Sequence, residues 1–199
     1  LAAAPHRGNR TVVKAIGACA LGVSELEGRD EASLASDGSL AVAFAGALDN
    51  AGELGDRLGV SPEQARPADV VLAAFRAQGS KAPAGLRGTY ACVVADDTRL
   101  WAFRDHGGLE TLFYRSDPDA LYLASEVKQV LSGANVAPEP DLDTVEALFY
   151  GELDEPTACA LRGARRLVAA TLLTADRDSL DMAPYWDPSS SLETARLSP

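Results

Sequence analysis

Between residues 90 and 124 the chain alternates short apolar runs, at 90–95, 100–104, 112–115 and 121–124, with compact polar turns. Four such runs in succession predict antiparallel hairpins. The turns carry the matching chemistry. Asp96-Asp97 joins the first two runs and Ser116-Asp117-Pro118-Asp119 the last two, residues whose side chains or ring favour chain reversal. A sheet face built this way must be buried against something, which sets the terms for the rest of the sequence.

Two further runs, 11–16 and 40–44, are rich in Val, Ala and Phe and read as strands, whereas the acidic, polar stretch 25–38 reads as a surface loop. Ser61-Pro62-Glu63-Gln64 offers an N-cap, a proline at the first helical position and a reciprocal capping residue, and Pro67 breaks or restarts that helix. A longer helix is predicted over 68–78, where Val70, Val71, Leu72, Ala74 and Phe75 recur at helical spacing and Gly79 supplies the stop. Helices follow at 126–131 and 143–150, then strands at 167–174 and 182–186, and 189–199 reads as a linker. Strand runs mixed with a few packing helices place the chain in the α+β class rather than among doubly wound parallel sheets.

The 199 residues suit one domain with a short tail. A net charge of −11 repels phosphate backbones and anionic lipid, so neither nucleic acid nor a membrane is expected as a partner. The longest apolar run, 40–48, is far below the roughly 18 residues of a spanning helix, and no targeting segment marks export, so the cytoplasm is the expected compartment. Cys19, Cys92 and Cys159 are widely spaced and form no CxxC pair, and His6 and His106 are the only histidines. Neither a disulfide nor a metal site is assigned. Cys19 and Cys92 read as small buried hydrophobes, and Trp101 and Trp186 as packing residues.

Several segments resemble, in order, the class II glutamine amidotransferase domain of asparagine synthetases. His6-Arg7-Gly8 matches that family's HRG stretch, and Phe44-Ala45-Gly46-Ala47-Leu48-Asp49-Asn50 matches F-N-G-E-I-Y-N, with Glu53 and Leu54 following. Leu86 to Ala91 fits the L-x-G-x-F/Y-A hairpin, and Arg104 to Tyr114 fits R-D-x-x-G-x-x-P-L-Y-Y. Ala124-Ser125-Glu126-Val127-Lys128 keeps A-S-E-x-K intact, and Arg162 to Leu167 and Tyr185 to Pro188 match R-G-x-R-R-L and Y-W-D-P. The resemblance covers residues 1–188. It implies an Ntn-hydrolase-like αββα sandwich of two antiparallel sheets, lacking its first strand upstream of Leu1. It also implies, beyond a linker at 189–199, an ATP- and magnesium-dependent synthetase domain of the same protein that this chain does not contain.

The same resemblance implies that the glutamine site is dismantled. The family's nucleophile is an N-terminal cysteine whose own α-amino group takes its proton; residue 1 here is Leu, and no catalytic residue is assigned. The arginine that holds the glutamine carboxylate falls at or beside Glu25. The oxyanion-stabilising asparagine falls at Ala45, beside Gly46, and the glutamate that receives the substrate amino group at Ala47. The aspartate of the G-S-D stretch falls near Pro67, with Asp69 two positions late. The retained residues His6, Arg7, Gly8, Arg104, Asp105, Glu126 and Lys128 read as packing and as a charge network bracing strands and a helix end.

The resulting expectation is a catalytically silent half of an ATP-dependent amide-forming ligase, of the lasso-peptide macrocyclase or β-lactam synthetase kind. Its partners would be the synthetase domain and a peptide or small-molecule carboxylate. Two alternatives stand beside it. One is a working glutamine-hydrolysing asparagine synthetase whose cysteine lies upstream of residue 1, recognisable by ammonia release. The other is a free-standing interaction domain, recognisable by a stop codon near Pro199.

Overall fold

The computed structural model of the chain describes residues 2–25, 32–61 and 66–189. Strands β1 (Arg10–Ile16) and β2 (Cys19–Glu25) form a hairpin, followed by β3 (Ala32–Ser36), β4 (Ala41–Leu48), helix α1 (Ala51–Leu58) and helix α2 (Pro67–Gln78). The predicted hairpins follow as β5 (Gly88–Ala95), β6 (Leu100–Arg104), β7 (Phe113–Asp117) and β8 (Ala120–Ala124). Then come α3 (Val127–Gly133), α4 (Leu142–Tyr150), β9 (Arg165–Arg166), β10 (Thr171–Ala175) and β11 (Leu180–Pro184).

The strands assemble into a six-stranded antiparallel sheet of order β11-β10-β6-β5-β4-β3, a three-stranded sheet β8-β7-β9 and the β1-β2 hairpin. Three turns of the large sheet use one device, an aspartate whose carboxylate accepts from the amides two and three residues on. Asp37 does so for Ser39 and Leu40, Asp96 for Thr98 and Arg99, and Asp176 for Asp178 and Ser179.

Period-two alternation divides the large sheet's residues between two cores. Phe44, Cys92 and Phe103 lie side by side across β4, β5 and β6, and with Val42, Tyr90 and Val94 they bury Val70, Val71, Ala74 and Phe75 of α2 and Leu54 of α1. On the other face Ala91, Ala102 and Leu173 meet Leu112, Tyr114 and Leu167, while Ile16 and Leu21 of the first hairpin cover Ala41 and Ala95. Gly133 of α3 lies against Tyr122, on the far side of β8 from Leu121 and Leu123. The layers run helix, sheet, sheet, helix, the expected α+β sandwich. Among the described residues no helix is long and apolar enough to cross a membrane.

Four expectations need correction. The stretch 25–38 is not a loop throughout: Ala32–Ser36 forms β3, because Ser33 and Ala35 alternate inward with side chains too small to announce a strand. Ser33 also accepts the Ala68 amide at 3.1 Å, so a strand side chain caps α2 just past its Pro67 start. Helix α1 was not foreseen, since Gly52 and Gly55 interrupt the spacing of Leu54 and Leu58. The strand predicted over 167–174 begins only at Thr171, because Ala170 sits at φ 53°, where no strand can run through it. The strand predicted over 182–186 occupies Leu180–Pro184 instead, where the Asp176 turn sets its pairing with β10. The helix start predicted over 61–64, past Ser61, and the linker, past Ser189, lie outside the described residues.

Candidate functional site

Above the inner face of the large sheet the second layer is discontinuous. The β1-β2 hairpin and the β8-β7-β9 sheet do not pair with one another, and a cavity of about 550 Å³ opens over the face they share. Its floor consists of Ala43, Ala45, Gly46 and Ala47 of β4 with Ala91 and Val93 of β5. Such small side chains cannot fill the space between two sheets packed about 10 Å apart. Residues 20–24 of β2 form one wall and Leu112, Leu123 and Ala124 the opposite one. The polar lining comes from Arg7, Ser24, Thr89, Glu110, Ser125 and Gln129.

Three of the residues predicted for this pocket, Ala45, Gly46 and Ala47, therefore do line one cavity. Two do not. Glu25 ends β2 with its carboxylate 3.7 Å from Arg10, its partner in the hairpin register. Pro67 occupies the first position of α2, a helix packed on the outer face of the sheet. Neither alanine carries a side-chain donor or acceptor, so at these positions the floor offers a reacting amide no side-chain hydrogen bond.

The retained charges separate into two clusters rather than one network. In the first, Glu126 Oε1 receives both His6 Nε2 and Arg7 Nε at 2.6 Å, and Oε2 receives Lys128 Nζ at 3.0 Å. Glu126 is also the N-cap of α3 in a capping box with Gln129. The carboxylate thus ties the turn Pro5–Arg7 to the start of α3, and it holds Arg7 at the cavity wall. Gly8 lets the backbone pass Glu25 closely: a Cβ there would lie 2.5 Å from the Glu25 carbonyl oxygen. Partial burial would raise the pKa of Glu126, but hydrogen bonds from Arg7, Lys128 and His6 outweigh it and hold the carboxyl at about 2.

A group depressed on folding stabilises the fold above its unfolded pKa and ceases to do so as pH falls through the folded one. Glu126→Gln is accordingly expected to lower stability at pH 7 by about 1 kcal/mol, since solvent screens much of the cluster. The deficit relative to the parent should shrink below the ordinary carboxyl value of 4.5 and be gone near pH 2, as thermal midpoints measured across that range will show.

The second cluster lies deeper. Asp105, 1% exposed, accepts the amides of Gly107, Leu109 and Glu110 at 3.0–3.1 Å and faces the Tyr90 amide at 3.4 Å. Arg104, 4% exposed, donates to the carbonyls of Glu110 at 2.5 Å, Leu167 at 2.6 Å and Gly108. Burial draws its pKa below the ordinary arginine value, with Asp105 opposing. One residue collects the donors of the 105–110 loop and the other its acceptors, and that loop delivers Glu110 to the cavity. Tyr185 donates to the Arg104 carbonyl, and burial holds its phenol at about 12. His106 sits edge-on to Tyr185 and Trp186, and Trp101 packs on Phe75 at 5.2 Å. Cys92 is buried, which pushes its thiol well up and keeps it neutral, while Cys19 is half-buried.

Sequence reasoning singled out Arg7 but not its place on the cavity, and it missed Glu110 and Gln129. No local signal marks them: Arg7 and Glu126 lie 119 residues apart and meet only in the assembled sandwich.

Comparison with known proteins agrees with this architecture. The profile of the glutamine amidotransferase domain matches residues 9–186. Asparagine synthetase [glutamine-hydrolyzing] 3 of Bacillus subtilis is 28% identical over 112 residues, which make up 55% of this chain and 18% of the relative. Among solved structures, the B. subtilis glutamine phosphoribosylpyrophosphate amidotransferase complexed with ADP and GMP superposes with a TM-score of 0.56 at 17% identity. The allosteric regulatory enzyme of purine biosynthesis does so with 0.54 at 18%. Each covers 84% of this chain while the chain spans 35% of it, and at these identities the likeness is one of fold, the Ntn amidotransferase sandwich.

Proposed function

The chain belongs to the glutamine amidotransferase domain family, and from that premise we propose that it is a form silent towards glutamine, serving as the structural half of a cytoplasmic ATP-dependent amide-forming ligase. The observation that carries this reading is the cavity floor. Where the family pattern requires an asparagine for the oxyanion and a glutamate for the substrate amine, the cavity presents Ala45 and Ala47. The carboxylate-binding arginine falls at or beside Glu25, whose own carboxylate lies 3.7 Å from Arg10. Loss of one oxyanion donor alone lowers turnover by roughly 10²–10³-fold. Buried, neutral Cys92 offers no replacement nucleophile, having no α-amino group beside it.

A ligase of this kind takes its nitrogen from an amine of the substrate itself, as in lasso-peptide macrocyclases and β-lactam synthetases, and needs no glutamine pocket. Its carboxylate substrate is a peptide or a small molecule. Activation with ATP and magnesium belongs to a synthetase domain outside these residues, and no step of it is assigned to this chain.

The protein expressed from its complete reading frame is expected to release no ammonia from glutamine above background, with or without ATP and magnesium, while converting ATP to AMP and pyrophosphate with a carboxylate substrate. Ammonia release abolished by a thiol-blocking reagent would overturn the reading. One observation favours the working amidotransferase: Arg7 brings a cation to the cavity wall. If Arg7 held the glutamine carboxylate, Arg7→Ala would raise KM for glutamine with kcat little changed.

A further inference from the structure

Helix α4 presents its large apolar side chains to solvent. Leu142, Val145, Leu148 and Phe149 are 67, 41, 51 and 83% exposed, and Tyr150 follows at 65%. Their spacing of three, six and seven residues from Leu142 makes one stripe along the helix. None of the nine residues is buried, and the half-buried ones are the small Thr144 and Ala147.

The helix is nonetheless firmly built. The Asp141 carboxylate caps it by accepting the Thr144 amide at 3.1 Å, and Gly151 closes its C-terminus in the left-handed conformation. At its base the Asp141 amide donates to the Ala160 carbonyl at 2.9 Å and the Arg162 amide to the Glu139 carbonyl at 2.8 Å. A helix this short is marginal by itself in water. Caps and clamp hold it in place while its apolar stripe stays uncovered, the arrangement of a preformed contact surface.

The charge around the stripe selects the occupant. From residue 141 to 155 the chain carries Asp141, Asp143, Glu146, Glu152, Asp154 and Glu155 and no Lys, Arg or His, while the neighbouring cations Arg162 and Arg165 stand against Glu139 and Glu155 and leave the balance acidic. A second copy docked about a twofold axis would set this acidic rim against itself, in a chain of net charge −11. The matching surface is therefore apolar at its centre and rimmed by Lys and Arg. The proteins that this chain resembles extend well beyond the matched part, which is 18% of the curated relative and 35% of each solved chain.

We propose that the α4 stripe is the docking surface for the synthetase domain of the same polypeptide, received by an apolar, basic-rimmed patch on that domain. The proposal rests on the ligase reading above.

Hydrogen exchange in the protein from the complete reading frame, compared with the 199-residue chain, tests it. Amides of 142–150 are expected to exchange at least about tenfold more slowly in the complete protein. The double variant Val145→Asp, Phe149→Asp should abolish that protection. In the 199-residue chain the same variant should move the thermal midpoint by no more than about 2 °C, because the side chains are exposed. Equal exchange in both proteins, while ATP is still converted to AMP and pyrophosphate, would overturn the docking surface and leave the ligase reading standing. Absence of that ATP chemistry would remove the ligase reading and the docking proposal with it. Protection that rises with concentration in the 199-residue chain would assign the stripe to a second copy and overturn the proposal.

Discussion

Asp105→Asn is expected to destabilise the domain by about 3 kcal/mol, lowering the thermal midpoint by roughly 6–12 °C. The carboxylate is 1% exposed and is met only by donors: the amides of Gly107 and Leu109 at Oδ1, and those of Glu110 and Tyr90 at Oδ2. Asparagine is isosteric, but whichever way it turns, its NH2 group faces backbone N–H groups and leaves them without their acceptor. The cost of a buried donor lacking an acceptor, roughly 1–3 kcal/mol each, then falls on at least one side of the loop. Arg104→Lys should act in the same direction with a smaller effect, because an ammonium cannot span the separated carbonyls of Gly108, Glu110 and Leu167. Denaturant unfolding of both variants measures the two losses. If Asp105→Asn left stability unchanged, the R-D stretch would owe its presence to something other than holding this loop.

The hairpins could be read from the sequence because their turns are specified locally. Asp96, for example, satisfies the amides of Thr98 and Arg99 from within the turn. What escaped reading depended on distant parts of the chain. Strand β3 is defined by its pairing with β4 and by Ser33 capping α2, 35 residues away, neither of which leaves a periodic mark. The site divides along the same line. The contiguous floor, Ala45 to Ala47, could be placed from its own stretch, whereas the charges expected as one bracing network divide into two clusters, one on Glu126 and one on Arg104 and Asp105. That Arg7 and Glu110 reach the cavity depends on how a hairpin, a loop and a helix start converge, and no spacing in the sequence encodes that meeting. Glu25 and Pro67 lie outside the cavity lining for a related reason. Alignment gives a position along a strand or helix, whereas the face on which the side chain lies is decided by pairing, with Arg10 in one case and with the packing of α2 in the other.

Gly46→Ala measures what the fold demands of the cavity floor. Gly46 has a φ of 113°, and a Cβ built on it would lie 2.1 Å from the Thr89 carbonyl oxygen and 2.9 Å from the Tyr90 Cα. Those atoms belong to β5, the neighbouring strand at the centre of the sheet, so no flexible side chain can yield. The expected loss is about 4 kcal/mol or more, a fall in midpoint of roughly 10 °C or beyond. Gly38→Ala supplies the comparison: its φ is 96°, but nothing lies within 4 Å of the added methyl, so it should cost only the backbone strain, about 1 kcal/mol. The flanking alanines predict the opposite behaviour. Ala45→Asn and Ala47→Gln add polar side chains that can extend into about 550 Å³ of space and should shift the midpoint by only a few degrees. A domain that cannot lose Gly46 yet tolerates both neighbours is one in which the pairing of β4 with β5, not the lining of the cavity, fixes the glycine. Should Gly46→Ala prove no worse than Gly38→Ala, strands β4 and β5 would have to separate here more easily than their pairing allows, and the glycine would lose its structural explanation.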